Sequence, residues 1–140
     1  MRLLVLVDVD GTLFLTDDPL GGRALRETLE ERFDVRLPAD AIEHVDHAGQ
    51  TSLRIARLVL EAADTTGVDP DDLAAWCPRF AERYLELLAL ADTSGWRVAP
   101  DTYDALAQLH AAGHRLALLT GNPEPMARAR MERLGLERFF

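Results

Sequence analysis

Two unbroken apolar runs stand far apart in the chain. Leu3–Val7 (LLVLV) has no polar position, and Arg115–Leu119 (RLALL) has one, at its first residue. Apolar runs of this length without alternation are typical of parallel strands that are covered on both faces. We therefore predict that the two segments are adjacent parallel strands and that the first is central in its sheet.

Between the two runs, apolar positions recur with helical spacing. The pattern predicts helices over residues 19–33, 52–63 and 69–91. Thr65, Thr66 and Gly67 are expected to form the exit of the second helix, and Pro78 is expected to interrupt the third. No strand pattern occurs in this stretch, so we expect it to be entirely helical.

The remainder of the chain alternates between helix and strand. A helix is predicted from about Pro100 to a C-capping Gly113, directly before the second apolar run, and another from about Pro123 or Pro125 to Gly135. The predicted architecture is an α/β core formed by residues 1–17 and 96–140, discontinuous in sequence, with a helical insert at 18–95.

Charge and cysteine content exclude several classes of function. Fifteen Lys+Arg against 24 Asp+Glu give a net charge of −9, and the basic residues, all of them arginine, are dispersed along the chain. We therefore expect neither a nucleic-acid partner nor a membrane partner. The chain has one cysteine, Cys77, and its N-terminal apolar run is too short for a signal-peptide core, which favours a cytoplasmic location.

A chemically active segment follows the first predicted strand. Asp8-Val9-Asp10-Gly11-Thr12-Leu13 places two carboxylates and a glycine turn at the carboxyl end of the strand, where open α/β sheets bind ligands. Two carboxylates separated by one residue suit a division of labour, in which one attacks and the other handles a proton. Gly11 permits a close turn whose N–H groups face an anion.

A second segment follows the second predicted strand. Thr120-Gly121-Asn122 stands between an apolar run and a helix, so its hydroxyl and the free N–H groups of the helix start suit a phosphoryl oxygen. Helix capping is the alternative explanation for this segment alone. The separation of 112 positions from Asp8 to Thr120 leaves room for the helical insert.

Together, the two segments resemble the first and second signatures of the haloacid dehalogenase (HAD) superfamily. A helical insert between them resembles the phosphoglycolate-phosphatase and β-phosphoglucomutase branch, and His47–Ser52 is similar to a cap segment of that branch, with Ser52 where an Asp is common. The resemblance implies a HAD-like Rossmannoid core of parallel strands, here incomplete, with an inserted all-helical cap.

The resemblance also implies a mechanism. Asp8 would attack phosphorus and bind Mg²⁺, while Asp10 would protonate the leaving alkoxide, activate water and bind Mg²⁺ through its main-chain carbonyl. The implied substrate-binding residues are Gly11, Thr12, Thr120, Gly121 and Asn122. The expected activity is Mg²⁺-dependent hydrolysis of a small phosphorylated metabolite through an aspartyl-phosphate. Haloacid dehalogenases themselves usually lack an acid at the position of Asp10, which favours phosphotransfer.

Two further family motifs, a Lys or Arg and a pair of metal-binding acids, follow the second strand in the family pattern. The chain contains no lysine, and four arginines follow Thr120 without being assigned that role: Arg128, Arg130, Arg133 and Arg138. We therefore expect the chain alone to be a poor catalyst and to self-associate, or bind a partner, through an unpaired sheet edge. The alternative is a non-catalytic or truncated HAD-like fragment that binds phosphate or a partner without turnover.

Several polar and aromatic residues of the insert have both a functional and a structural interpretation. His44, Asp46 and His47 form either a metal cluster or a solvated loop, and the loop is favoured. Arg54 and Arg57 are either surface arginines or ligands of a substrate anion. Trp76, Phe80 and Tyr84 are expected to pack within the insert rather than stack on bases, and Cys77 is expected to be a small buried hydrophobic residue.

Overall fold

The computed structural model describes residues 1–65 and 67–140. Its elements, in chain order, are β1 (Leu4–Asp8), α1 (Pro19–Phe33), α2 (Ser52–Ala62), α3 (Pro70–Leu90), α4 (Thr102–Ala111), β2 (Arg115–Leu119), α5 (Glu124–Arg133) and a 3₁₀ turn at Glu137–Phe139. Thr66, in the predicted exit of the second helix, lies outside the described residues. No helix in the described part of the chain is long and apolar enough to cross a membrane.

Contacts divide the chain into two compact units. The strand unit consists of Met1–Asp17, Asp92–Thr120 and Glu124–Phe140, and the helical unit consists of Asp18–Ala91 and Gly121–Pro123. The helical unit contains α1, α2 and α3 and has no strand among its described residues. The domain boundaries stated from the sequence, 1–17 with 96–140 and 18–95, stay a prediction.

In the strand unit, β1 and β2 form a parallel pair, as predicted. The register runs from Leu4 opposite Arg115 to Asp8 opposite Leu119. Because paired parallel strands run in the same direction, Asp8 and the residue that follows Leu119, Thr120, belong to the same end of the sheet. That end is the one at which open α/β sheets bind ligands.

The two faces of this sheet differ in burial. Val5, Val7 and Leu118 pack against a core that α4, α5 and the residues after β1 complete. On the other face, Leu4 and Leu6 are 63% and 54% exposed. The expectation of a central strand covered on both faces is therefore wrong for the described residues, which form a two-stranded sheet with one covered face. An apolar run indicates that a strand is suited to burial, but the burial itself requires a second layer.

In the helical unit, α3 runs without a break from Pro70 to Leu90, so the predicted interruption at Pro78 is wrong. Pro78 lies on the exposed side of the helix, where the carbonyl that loses its N–H partner can be hydrated. The buried side carries Trp76 and Phe80, whose rings stack with centroids 4.9 Å apart. Burial of this apolar stripe offsets the cost of the proline.

Polar contacts connect α1 with α3. The indole N–H of Trp76 donates to the hydroxyl of Thr28 at 2.9 Å, and both side chains are buried. The Tyr84 hydroxyl, also buried, donates to Oδ2 of Asp18 at 2.7 Å. The aromatic stripe of α3 is thus part of the packing of the helical unit, as predicted. Cys77 is only half-buried, and its burial raises the pKa of the thiol.

Candidate active site

The loop after β1 is closed by its own main chain. The carbonyl oxygen of Val9 accepts hydrogen bonds from the N–H groups of Leu13 and Phe14, both at 2.9 Å, and the N–H of Gly11 donates to the carbonyl of Phe14 at 2.9 Å. Gly11 has φ 77° with open space around its α-carbon, so glycine is favoured here by the left-handed backbone rather than by crowding. Val9, Leu13 and Phe14 are buried.

Asp8 is the last residue of β1, and its carboxylate is exposed. The hydroxyl of Thr12 donates to Oδ2 of Asp8 at 2.9 Å. This bond fixes one carboxylate oxygen and leaves the other, Oδ1, as a candidate nucleophile or metal ligand. Thr12, predicted as a substrate-binding residue, therefore directly contacts the predicted nucleophile.

Asp10 turns its side chain to a different partner. Its Oδ1 accepts a hydrogen bond from Nη1 of Arg130 at 2.8 Å, and the two groups form an ion pair. The side chain of Asp10 is 54% exposed, whereas that of Arg130 is 6% exposed. The two predicted catalytic carboxylates thus have separate neighbours, a neutral hydroxyl at Asp8 and a buried cation at Asp10.

Arg130 is a residue that sequence reasoning left unassigned. On α5, it stands three residues after Ala127 and four before Leu134, both buried, so it belongs to the apolar face of its helix. A charged residue at an apolar position was the available signal, because buried arginines require a partner. Arg128 and Arg133, on the same helix, are exposed.

The second predicted segment is divided between the two units. Thr120 is half-buried and follows β2 in the strand unit, whereas Gly121 and Asn122 belong to the helical unit. Within the helical unit, the carbonyl of Gly121 accepts a hydrogen bond from the N–H of Ser52 at 2.9 Å. The structure thus places Asp8, Asp10, Gly11, Thr12 and Thr120 in one unit. The catalytic, substrate-binding and metal-binding roles of all seven residues stay a prediction.

The donor set of the loop after β1 suits a hard cation. Asp8 and Asp10 supply carboxylate and carbonyl oxygens, which Mg²⁺ prefers, and Mg²⁺ is commonly held by one or two carboxylates together with water and substrate phosphate. The described residues contain no group of three or more His, Cys, Asp or Glu side chains that could hold a metal. The oxygen donors of Asp8 and Asp10 thus fit the chemistry of a hard cation whose other ligands would be water and a phosphate oxygen.

The His44, Asp46 and His47 group is a loop, in line with the favoured interpretation. Nε2 of His47 lies 2.7 Å from the carbonyl oxygen of Ile42, and Oδ1 of Asp46 accepts a hydrogen bond from the N–H of Ala48 at 3.0 Å. His44 contacts Asp40 at 3.4 Å. All three contacts are local to this segment.

Fold and site together define an α/β protein with two parallel strands among its described residues, a carboxylate pair at a strand end and a unit of three helices, α1 to α3, inserted in the chain after β1. The chain belongs to the haloacid dehalogenase-like hydrolase family, whose sequence model matches residues 3–140. The resemblance inferred from the two segments is therefore confirmed. No curated protein matches the chain.

Solved structures of the same fold include CbbY from Rhodobacter sphaeroides in complex with phosphate, which is 23% identical with a TM-score of 0.65 over 100% of this chain and 61% of its own. A HAD hydrolase of family IA, variant 3, from Entamoeba histolytica is 16% identical, with a TM-score of 0.63 over 100% and 58%. A predicted phosphoglycolate phosphatase from Haemophilus somnus is 19% identical, with a TM-score of 0.61 over 99% and 60%. The chain thus spans about three-fifths of these structures, and the predicted fold class, a HAD-like core with a helical cap, is confirmed.

Proposed function

We propose that this chain is the catalytic-loop portion of a Mg²⁺-dependent phosphate-ester hydrolase that acts on a small phosphorylated metabolite through an aspartyl-phosphate. The observation that carries the proposal is the arrangement of the loop after β1. Asp8 is exposed at the strand end with Thr12 on one oxygen, and Asp10, two residues later, is held separately by Arg130. Membership of the hydrolase family supports the reaction class.

In the first step, a carboxylate oxygen of Asp8 attacks phosphorus and the bond from phosphorus to the alkoxide breaks. Asp10, carrying a proton on the oxygen that does not accept from Arg130, transfers it to the departing oxygen, so the alcohol leaves neutral and Asp10 becomes the carboxylate of the ion pair. In the second step, Asp10 takes a proton from water, whose oxygen attacks phosphorus and displaces the Asp8 carboxylate. Inorganic phosphate is released and both aspartates return to their starting states.

The remaining predicted residues would bind the transferring group. The hydroxyl of Thr120 and the N–H groups of the Gly11 turn are suited to the equatorial phosphoryl oxygens, because charge spreads over those oxygens during transfer. Mg²⁺, held by the carboxylate of Asp8 and the carbonyl of Asp10, would supply charge neutralisation between the anionic nucleophile and the anionic substrate. We further propose a cytoplasmic location, in keeping with the single cysteine.

A second candidate is a HAD-like fragment that binds phosphate without turnover. The observation in its favour is that the chain spans only 58–61% of the three solved structures described above. Each preorganised charge-stabilising group that such a fragment lacked would cost about 10²–10³ in rate, although such losses are not additive. The two candidates therefore differ in turnover, while both bind an anion at the same loop.

The deciding experiment measures hydrolysis of p-nitrophenyl phosphate by the purified chain with and without Mg²⁺, together with mass spectrometry of acid-quenched protein to detect the aspartyl-phosphate. Asp8→Asn should abolish both signals. Asp10→Asn should mainly slow departure of the leaving group and hydrolysis of the aspartyl-phosphate. Asp104→Asn, the same change at an exposed position of α4 in the strand unit, is the matched control and should retain both signals. Full turnover in Asp8→Asn would contradict covalent catalysis, and phosphate binding without turnover would favour the second candidate.

A further inference from the structure

The Asp10–Arg130 pair joins residues 120 positions apart in sequence and differs in kind from the other arginine–carboxylate pairs. On the same helix, Arg128 pairs with Glu124 at 2.8 Å while 78% of its side chain is exposed. Arg130 has only 6% of its side chain exposed. Exposed pairs contribute little to stability, whereas a buried cation requires compensation of its lost hydration. Burial of the Arg130 side chain therefore depends on its ion pair with Asp10.

The guanidinium group of Arg130 has a second contact, with the ring of Phe14. Cζ of Arg130 lies 5.3 Å from the centroid of the Phe14 ring, and Phe14 is buried with its main chain bonded to Val9 and Gly11. A guanidinium over an aromatic face is a favourable cation–π arrangement. Arg130 therefore contacts the side chains of both Asp10 and Phe14, near the two ends of the turn.

We infer that Arg130 is a positioning residue for Asp10, an inference that rests on the proposed function. In that function, one carboxyl group must reach first the leaving oxygen and then a water molecule. An exposed aspartate side chain alternates among rotamers, and the bond from Arg130 selects one of them. A misplacement of about 1 Å can cost about 10² in rate, so the tether affects turnover through Asp10.

The test is a double-mutant cycle with Arg130→Met, Asp10→Asn and the combined variant, measured as kcat and KM for p-nitrophenyl phosphate with Mg²⁺. Arg130→Met should lower kcat by about 10- to 100-fold with KM changed less than about threefold, as part of the ~10²–10⁴ that acid–base catalysis contributes. In the Asp10→Asn background, the same change should lower kcat no further. Arg130→Lys should recover part of kcat, because it keeps the charge but not the planar fork. Arg128→Met is the matched control and should match the unchanged chain.

A structural role alone would give a different pattern. An equal loss of kcat from Arg130→Met in both backgrounds, or a change confined to KM, would overturn the inference and leave the proposed function intact. Absence of Mg²⁺-dependent turnover in the unchanged chain would instead overturn the proposed function. In that case, ¹⁵N NMR of the arginine side chains tests independently whether Arg130 binds Asp10. Asp10→Asn should shift the Arg130 resonance and leave Arg128 unchanged, and an unshifted Arg130 resonance would overturn the inference.

Discussion

Replacing Gly121 by alanine should destabilise the helical unit, because the added methyl group meets main chain rather than a side chain. A Cβ at Gly121 would collide with the carbonyl oxygen of Gln50 and would lie 2.9 Å from Cα of Thr51. Both atoms belong to the segment that starts α2, which is fixed by the hydrogen bond from the Ser52 N–H to the Gly121 carbonyl. Relief of the clash requires the two segments to separate, which stretches that bond.

The expected size of this effect follows from three contributions. Overpacking costs about 1–3 kcal/mol, and a weakened main-chain hydrogen bond adds about 0.5–1.5 kcal/mol. Replacing glycine also restricts the unfolded chain, which offsets about 0.4–1 kcal/mol of the lost stability. The net expectation for Gly121→Ala is a loss of about 1–3 kcal/mol in the free energy of unfolding, or a fall in Tm of several degrees.

Urea denaturation followed by circular dichroism measures this difference. Gly95→Ala is the matched control, because Gly95 has open space around its α-carbon and no positive φ. Gly22→Ala, within α1, is a second control, since the nearest atom to its added methyl would be Cγ2 of Ile42 at 3.9 Å. Both controls should equal or exceed the stability of the unchanged chain by up to about 1 kcal/mol. A Gly121→Ala variant as stable as Gly95→Ala would show that Gly121 does not pack against the main chain of Gln50 and Thr51.

Three further substitutions test the packing and the surface. Thr28→Val keeps the shape of the side chain but removes the acceptor of the Trp76 indole N–H, so urea denaturation should show a loss of about 1–3 kcal/mol. Hydrogen bonds from two arginines lower the pKa of Glu27, so its stabilising contribution is complete above the unfolded pKa of about 4.3 and is lost as pH falls through the lowered value. Thermal melting of Glu27→Gln should accordingly depend less on pH in the acid range than that of the unchanged chain. We also propose that the chain self-associates through the exposed face and edge of β1, so Leu6→Glu should shift sedimentation velocity towards monomer, while Leu90→Glu, at a 91% exposed position of the helical unit, should not.

Much of the secondary structure was predictable because it follows from local patterns. The first predicted helix has the observed limits of α1, Pro19 and Phe33, and the second predicted strand has those of β2. In α1, an N-terminal proline and the capping side chain of Asp18 mark the start. Before β2, Gly113 marks the end of the preceding helix, and the strand begins two residues later at Arg115. These signals act over a few residues, so they remain readable without knowledge of the fold.

The features that were not predicted depend on the surroundings of a residue. Pro78 is tolerated within α3 because it lies on the exposed side of a helix whose other side is held by packing, and its own sequence context does not specify that side. The exposure of Leu4 and Leu6 depends on whether another layer covers the sheet. The pairing of Arg130 with Asp10 joins segments distant in sequence. Each of these features depends on tertiary structure, and tertiary contacts override the preference of the local sequence.

The loop after β1 lies between these two cases, because residues proposed for the chemistry alternate in it with residues that pack. Val9 is fully buried and its carbonyl accepts the bonds that close the turn, while Asp8 and Asp10 on either side of it are exposed. Burial of Val9 and Phe14 therefore fixes the backbone from which the carboxylates project. A site built on packed elements holds its geometry more closely than one on a free loop. The alternation of acidic and apolar residues in this segment thus explains how two exposed carboxylates, the reacting groups of the proposed function, are held on a backbone that its buried neighbours fix.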